Sequence, residues 1–255
     1  MKIDSTVSAL VTGAGSGMGA AAARALAAAG AKVTLVDIHL DAAKTLAAEI
    51  GGIACAADIT NEASMQAAFA EAAKAHGPVR VVIHCAGILI AKRILGKDGP
   101  AGLDHFAKIM QVNLLGTFNV LRLASATMSP LDPVTKSGER GVIINVASIA
   151  AFEGQIGQAA YAASKGGVVA MTLPAARELA RFGIRVMAVA PGAVSTPMIG
   201  EISQEAQDSI AATIPFPARF AQPEEFASLA LHIIENEMLN GSIIRLDGAA
   251  RLAAK

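Results

Sequence analysis

Residues 7–19 read Val7-Ser8-Ala9-Leu10-Val11-Thr12-Gly13-Ala14-Gly15-Ser16-Gly17-Met18-Gly19. An apolar run leads into a turn rich in glycine, and an alanine-rich stretch follows. The run predicts a buried strand over 7–12 and the alanines a helix over 18–29. Glycine lets the backbone turn tightly and approach a pyrophosphate with no Cβ in the way. The helix start adds free N–H groups and the positive end of the helix dipole. Glycine turns are common, but the strand before and the helix after make this one a dinucleotide fingerprint. Gly13, Ser16, Gly17, Met18 and Gly19 are its candidate contacts.

Working outward, Asp37 ends the next predicted strand, 18 residues beyond Gly19. That is close to the roughly 20 expected for an acid that accepts from the adenosine ribose hydroxyls. A carboxylate there repels a 2′-phosphate, and Ser16 and Ile38 supply no cation for one. NAD is therefore expected over NADP. Asp58 follows the third predicted strand. It can accept from the adenine amino group, with the Ile59 backbone beside it, or simply close a turn.

The rest of the chain keeps the rhythm. Strands are predicted over 7–12, 32–37, 53–57, 79–85, 141–147, 184–190 and 242–246. Helices are predicted over 18–29, 41–50, 62–76, 104–128, 158–182 and 223–235. Strands apolar almost throughout imply burial on both faces, as in a parallel sheet. Their alternation with helices predicts one doubly wound α/β domain of Rossmann type. Two stretches break the pattern. Residues 90–103 form an insertion carrying Lys92, Arg93 and Lys97. Residues 192–220 carry Pro197, Pro215 and Pro217 among Met198, Ile199, Ile202, Ile210 and Ile214, and read as a flap needing something to cover. Pro174, inside a predicted helix, is expected to kink or end it locally.

Composition narrows the function. Of 255 residues 53% are hydrophobic, enough for one large core. No apolar run approaches the ~20 residues of a membrane span. Net charge is zero, and without a basic block nucleic-acid binding is not expected. Cys55 and Cys85 have no metal spacing and read as reduced thiols. The run from Met1 into the first strand leaves no room for a signal peptide, so a cytoplasmic location is expected.

Tyr161, the chain's single tyrosine, stands four residues before Lys165 on a predicted helix, so the two share a face. A phenol is a poor base near neutrality, with a reference pKa of about 10. An adjacent ammonium and an oxidised nicotinamide are expected to lower it. Tyr161 can then take an alcohol proton as hydride leaves, or return it in reduction. Ser148 follows the fifth strand, at the carboxyl edge where such sheets bind ligands, and can hold the substrate oxygen.

With these residues in hand, the sequence resembles the short-chain dehydrogenase/reductase family over nearly its whole length. The likeness rests on Thr12–Gly19, Asp58, His84-Cys85-Ala86-Gly87, Asn113, Ser148, Tyr161-Ala162-Ala163-Ser164-Lys165 and Pro191-Gly192. It implies a sheet of about seven parallel strands and a catalytic tetrad of Asn113, Ser148, Tyr161 and Lys165. It implies that Lys165 also binds the nicotinamide ribose and that Asn113 holds a water in a proton relay. It adds Cys85, Ala86, Gly87, Pro191, Val194 and Thr196 to the cofactor contacts, with Thr196 on the nicotinamide amide. Homotetramers are the implied assembly. His84 departs from the asparagine usual in that motif, and is read as a satisfied histidine at a strand end.

The C-terminal half resembles the branch of the family that acts on 3-hydroxyacyl-CoA. Arg140–Asn145, Ala151–Gln158, Met171–Pro174 and Ile243–Ala249 carry that likeness, as does the 90–103 insertion. It implies oxidation of 3-hydroxyacyl-CoA to 3-ketoacyl-CoA, with Gln155 facing the substrate. Lys92, Arg93 and Lys97 can meet CoA phosphates as point charges. Two alternatives stand: a hydroxysteroid or broad secondary-alcohol dehydrogenase with the same tetrad, and a scaffold subunit of a larger assembly.

Overall fold

The computed structural model describes residues 1–97, 99–197 and 203–254. Its strands are β1 (Ser8–Thr12), β2 (Lys32–Asp37), β3 (Ile53–Ala56), β4 (Val79–His84), β5 (Leu95–Gly96), β6 (Gly99–Pro100), β7 (Gly141–Val146), β8 (Ile184–Pro191) and β9 (Ile243–Leu246). Among the described residues, seven of them form one sheet in the order β3-β2-β1-β4-β7-β8-β9, and every pairing in it is parallel. Strand order reverses between β1 and β4, which opens a crevice at the carboxyl edge, the place where such sheets bind ligands.

The helices are α1 (Gly17–Ala28), α2 (Leu40–Ile50), α3 (Glu62–His76), α4 (Leu103–Met110), α5 (Thr117–Met128), α6 (Ala150–Glu153), α7 (Ala159–Leu179), α8 (Gln204–Ala211) and α9 (Pro223–Glu235). Alternation along β1 sends Ala9 and Val11 to one face of the sheet and Leu10 to the other. The first face packs on Leu26 of α1 and on Phe226 and Ile233 of α9. The second packs on Met65 and Phe69 of α3 and on Val120 and Met128 of α5. Each large side chain buried this way contributes about 1.5–3 kcal/mol. The two layers bury all of β1, β4, β7 and β8 except a half-buried Arg80.

Several elements differ from the sequence expectation. The helix expected over 104–128 is two helices joined by a π turn, Gln111–Gly116. The 90–103 insertion carries the small antiparallel hairpin of β5 and β6. The 192–220 stretch contains α8, whose following turn buries Ile214 with Phe220, Ile149 and Ala250. Met198, Ile199 and Ile202, expected to line the flap, lie outside the described residues. Pro174 does not end its helix, for α7 runs on to Leu179.

Candidate active site

Register brings the site together. Thr12 pairs with Val36 on one side and with His84 on the other, and His84 pairs with Asn145. The carboxyl ends of β1, β2, β4 and β7 therefore meet at one edge.

The glycine turn at this edge has no room for side chains. Gly13 has φ +63°, and a Cβ on it would stand 2.8 Å from the Ala86 backbone. A Cβ on Gly19 would stand 2.2 Å from the Gly13 carbonyl. Helix α1 thus begins hard against the turn. Ser16, at its N-cap, makes no side-chain capping bond, so the first N–H groups of α1 are left for a ligand. Asp37 Oδ2 accepts from the Gly15 N–H at 2.9 Å, and Oδ1 from the His39 N–H at 2.9 Å. The carboxylate is thereby fixed against the turn. Half-buried Met18 follows, and Thr196 stands over Gly17. A tight turn, an uncapped helix start and a fixed acid fit a dinucleotide.

The loop after β4 forms the facing wall. The Cys85 N–H donates to the Thr12 carbonyl at 3.1 Å. Burial pushes the Cys85 thiol up to about 12, with Lys165 acting the other way, so it stays a neutral thiol. Gly87 adjoins both Asn113 Oδ1 and Lys165 Nζ. Pro191 ends β8 and accepts the Ile149 N–H, and Val194 is buried beside it. Asp58 Oδ1 accepts from the N–H and the hydroxyl of Thr60, both at 2.8 Å. Its carboxylate closes its own turn, and the Ile59 carbonyl is taken by Asn119.

Asn113 lies in the π turn with its side chain fully held. Oδ1 accepts the Ile88 N–H at 2.8 Å, while Nδ2 donates to the Ile88 carbonyl and to Ser164 Oγ. Lys165 is buried and donates to the Val146 carbonyl at 2.8 Å. Burial lowers it to about 8, with Cys85 opposing. Tyr161 is half-buried one helical turn earlier. The expected lowering of its phenol does not occur within the chain itself. Burial raises it, and a hydrogen bond with Ser148 is the opposing influence. The reason is geometric: Lys165 Nζ is 6.0 Å from the ring centroid and is committed to Val146.

The strand-end histidine is satisfied at both nitrogens, as expected. His84 Nδ1 is 2.6 Å from Thr12 Oγ1, and Nε2 is 2.9 Å from Thr117 Oγ1. Sequence reasoning missed Thr117, Ser164 and the Ile88 backbone as partners. The spacing from Asn113 to Thr117, one helical turn, was the available signal.

A cavity of about 420 Å³ lies between the insertion and the start of α7, lined by Arg93, Ile94, Leu95, Gln155, Ile156 and Ala162 among others. The Lys92 N–H ties the insertion to the Gly157 carbonyl at 2.8 Å. Gln155 reaches the cavity wall, yet its amide N–H donates to the Ala253 carbonyl at 3.3 Å. Lys92 and Lys97 are exposed.

The family model for the short chain dehydrogenase matches residues 7–207. The chain belongs to the short-chain dehydrogenase family. It is similar to the 3-hydroxyacyl-CoA dehydrogenase type-2 of Bos taurus, 47% identical over 249 residues, which are 96% of this chain and 95% of that protein. The crystal structure of 3-hydroxyacyl-CoA dehydrogenase type-2 from Mycobacterium avium is 42% identical, has a TM-score of 0.94 and is matched over 98% of both chains. A 7α-hydroxysteroid dehydrogenase solved with NADH and 7-oxo glycochenodeoxycholic acid has a TM-score of 0.89 at 28% identity, over 100% of this chain and 97% of that one. Family membership makes the protein an oxidoreductase of CH–OH groups with a nicotinamide cofactor. No helix among the described residues is long and apolar enough to cross a membrane.

Proposed function

We propose that the protein oxidises 3-hydroxyacyl-CoA to 3-ketoacyl-CoA, reversibly, and uses NAD rather than NADP. The observation that carries this reading is the placement of Tyr161 on α7 where Ser148 bears on its phenol, with Ala162 beside it lining a cavity that Arg93 and Gln155 share. The names of the relatives at 42–47% identity point to the same substrate.

When bound, the nicotinamide supplies the hydride acceptor for oxidation and the donor for reduction. The other roles fall to the chain. Ser148 donates its hydroxyl to the substrate oxygen and holds it against Tyr161. Tyr161 takes the hydroxyl proton in oxidation and returns it in reduction. Buried Lys165 binds the nicotinamide ribose, and the Asn113 carbonyl holds the water that links Lys165 to solvent. Gly13, Ser16, Gly17, Met18 and Gly19 take the pyrophosphate, Asp37 the ribose, and the walls Cys85–Gly87, Pro191, Val194 and Thr196 the rest of the cofactor. Asp37 excludes a 2′-phosphate by like charge.

Arg93 gives the cavity a cation for the CoA phosphates, and Ile94, Leu95 and Ile156 give it apolar walls. The same reading extends to assembly. Leu103, Phe106, Leu115 and Phe118 of α4, the π turn and α5 are exposed together, and a second copy covers them in a homotetramer. Light scattering in solution measures that assembly directly.

The deciding experiment compares kcat/KM for acetoacetyl-CoA with a panel of free ketones and oxo-steroids, following NADH absorbance. The thioester is expected to lead the panel. A steroid or free ketone in the lead replaces this reading with the general alcohol dehydrogenase. Full cellular function in a Tyr161→Phe variant replaces it with the scaffold.

A further inference from the structure

His84 closes β4 with its ring 1% exposed. Its partners fix where its proton sits. The Thr117 hydroxyl has one proton, and the Asn113 carbonyl, 2.7 Å away and able only to accept, takes it. The contact between Thr117 and His84 Nε2 therefore needs its proton from the ring, so Nε2 carries the hydrogen. Nδ1 is then a bare acceptor and takes the Thr12 hydroxyl proton. Thr12 Oγ1 in turn accepts the Ala86 N–H at 3.4 Å. Every donor along Ala86, Thr12, His84 and Thr117 points the same way, and the chain ends on the Asn113 carbonyl. Hydrogen bonds aligned head to tail in a buried setting polarise and strengthen one another.

That carbonyl receives a hold from a side chain, the Thr117 hydroxyl. It belongs to the π turn Gln111–Gly116, where the helical ladder is widened and local geometry is often functional. The Asn113 side chain is already committed to Ile88 and Ser164. It anchors the residue, and the Thr117 hydroxyl adds a bond that bears on the direction of the carbonyl. We propose that His84 is a positioning residue, which orients the Asn113 carbonyl for the proton relay by way of Thr117. This rests on the reading of Asn113 as the holder of the relay water. An asparagine at this position reaches as far as Nδ1 does and so meets Thr12 alone. Glutamine, one methylene longer, extends its amide to the place of Nε2. The histidine therefore joins the glycine turn of the cofactor site to the catalytic turn.

The test uses the full chain with His84→Asn, His84→Gln, Thr117→Val and Tyr161→Phe. Single-turnover rates, KM, the NADH dissociation constant and the solvent deuterium isotope effect are measured on each. In His84→Asn and Thr117→Val the rate is expected to fall about tenfold, while KM and NADH affinity stay within about twofold of native. Their solvent isotope effect rises as proton transfer becomes slower. His84→Gln recovers most of the rate. Native rates in both His84→Asn and Thr117→Val, beside an inactive Tyr161→Phe, overturn the role of His84 alone. So does a rate that falls only in step with NADH affinity and is not recovered by glutamine, since that is the mark of a merely structural residue. Native activity in Tyr161→Phe removes the relay reading and the role of His84 with it.

Discussion

Two regions of the molecule, the carboxyl edge of the sheet and the 90–103 insertion, are built in opposite ways. At the sheet edge Asn113, Ser164, Lys165 and His84 are all buried, and their side chains are locked by bonds to Ile88, Tyr161, Val146, Thr12 and Thr117. In the insertion Ile94, Leu95 and Leu103 are 74%, 70% and 85% exposed, and its described residues are tied down by few bonds beyond Lys92 to Gly157 and its own hairpin. The first region is preorganised for one reaction. The second keeps apolar surface and cations in the open, which suits a long substrate that completes its own binding site. On the reading proposed above, the chemistry falls to the rigid half and the choice of alcohol to the loose half.

The largest effect should come from breaking the rigid half at its centre. Tyr161→Phe is expected to lower kcat by about 10²–10⁴-fold with NADH binding intact. Rapid-mixing assays and NADH fluorescence check both sides. A loss of NADH affinity of the same size would instead make Tyr161 part of the cofactor site. Next comes the cofactor preference set at the glycine turn. Asp37→Ser removes the carboxylate that holds the Gly15 N–H at 2.9 Å. The NAD-to-NADP ratio of kcat/KM is expected to fall by about tenfold to a hundredfold, read from paired NADH and NADPH assays. An unchanged ratio would move the discrimination away from Asp37.

The loose half predicts a different signature. Lys92→Ala, Arg93→Ala and Lys97→Ala together should raise KM for acetoacetyl-CoA about fivefold to tenfold, as expected of exposed cations. The kcat should stay as in the native chain, because these side chains serve binding and take no part in the proton transfer. Added salt should reproduce the loss in the native protein. Equal KM with and without the three cations would detach the insertion from CoA.

The same contrast explains what could be read from sequence. Strand–helix alternation, the glycine turn, Asp37 and the spacing of Tyr161 and Lys165 depend on neighbours along the chain, and the structure puts the turn between β1 and α1, Asp37 at the end of β2 and Tyr161 and Lys165 on α7. The π turn does not. Val112-Asn113-Leu114-Leu115 keeps an ordinary helical pattern, and the widening accompanies bonds from Asn113 to Ile88 and Ser164, which adjoin only after folding. The hold on Gln155 by Ala253 is likewise a contact between distant segments. Asp58 stayed open in sequence because an acid after a strand serves a ligand or a turn equally well, and its bonds to Thr60 belong to the turn. Tyr161 shows the limit from the other side. The Lys165 partner was legible, but only packing reveals that burial raises the phenol, with Ser148 as the opposing influence.

The smallest effect concerns stability and returns to His84. Burial, helped by the Lys165 ammonium, lowers its imidazole from 6.5 to about 3. In the unfolded chain the ring binds a proton near its ordinary value, while in the fold it stays neutral. The unfolded state therefore gains a proton that the folded state refuses. Stability is full above 6.5 and is lost as the pH falls from there toward about 3. By about pH 5 this one residue should cost about 2 kcal/mol, a shift of several degrees in Tm. His84→Asn has nothing to titrate there, so its Tm should fall less steeply over that interval. Thermal melts of both proteins at each pH measure the difference in slope. Parallel slopes would mean that the acid sensitivity lies in other groups, and that the rigid half tolerates a charged ring at the end of β4.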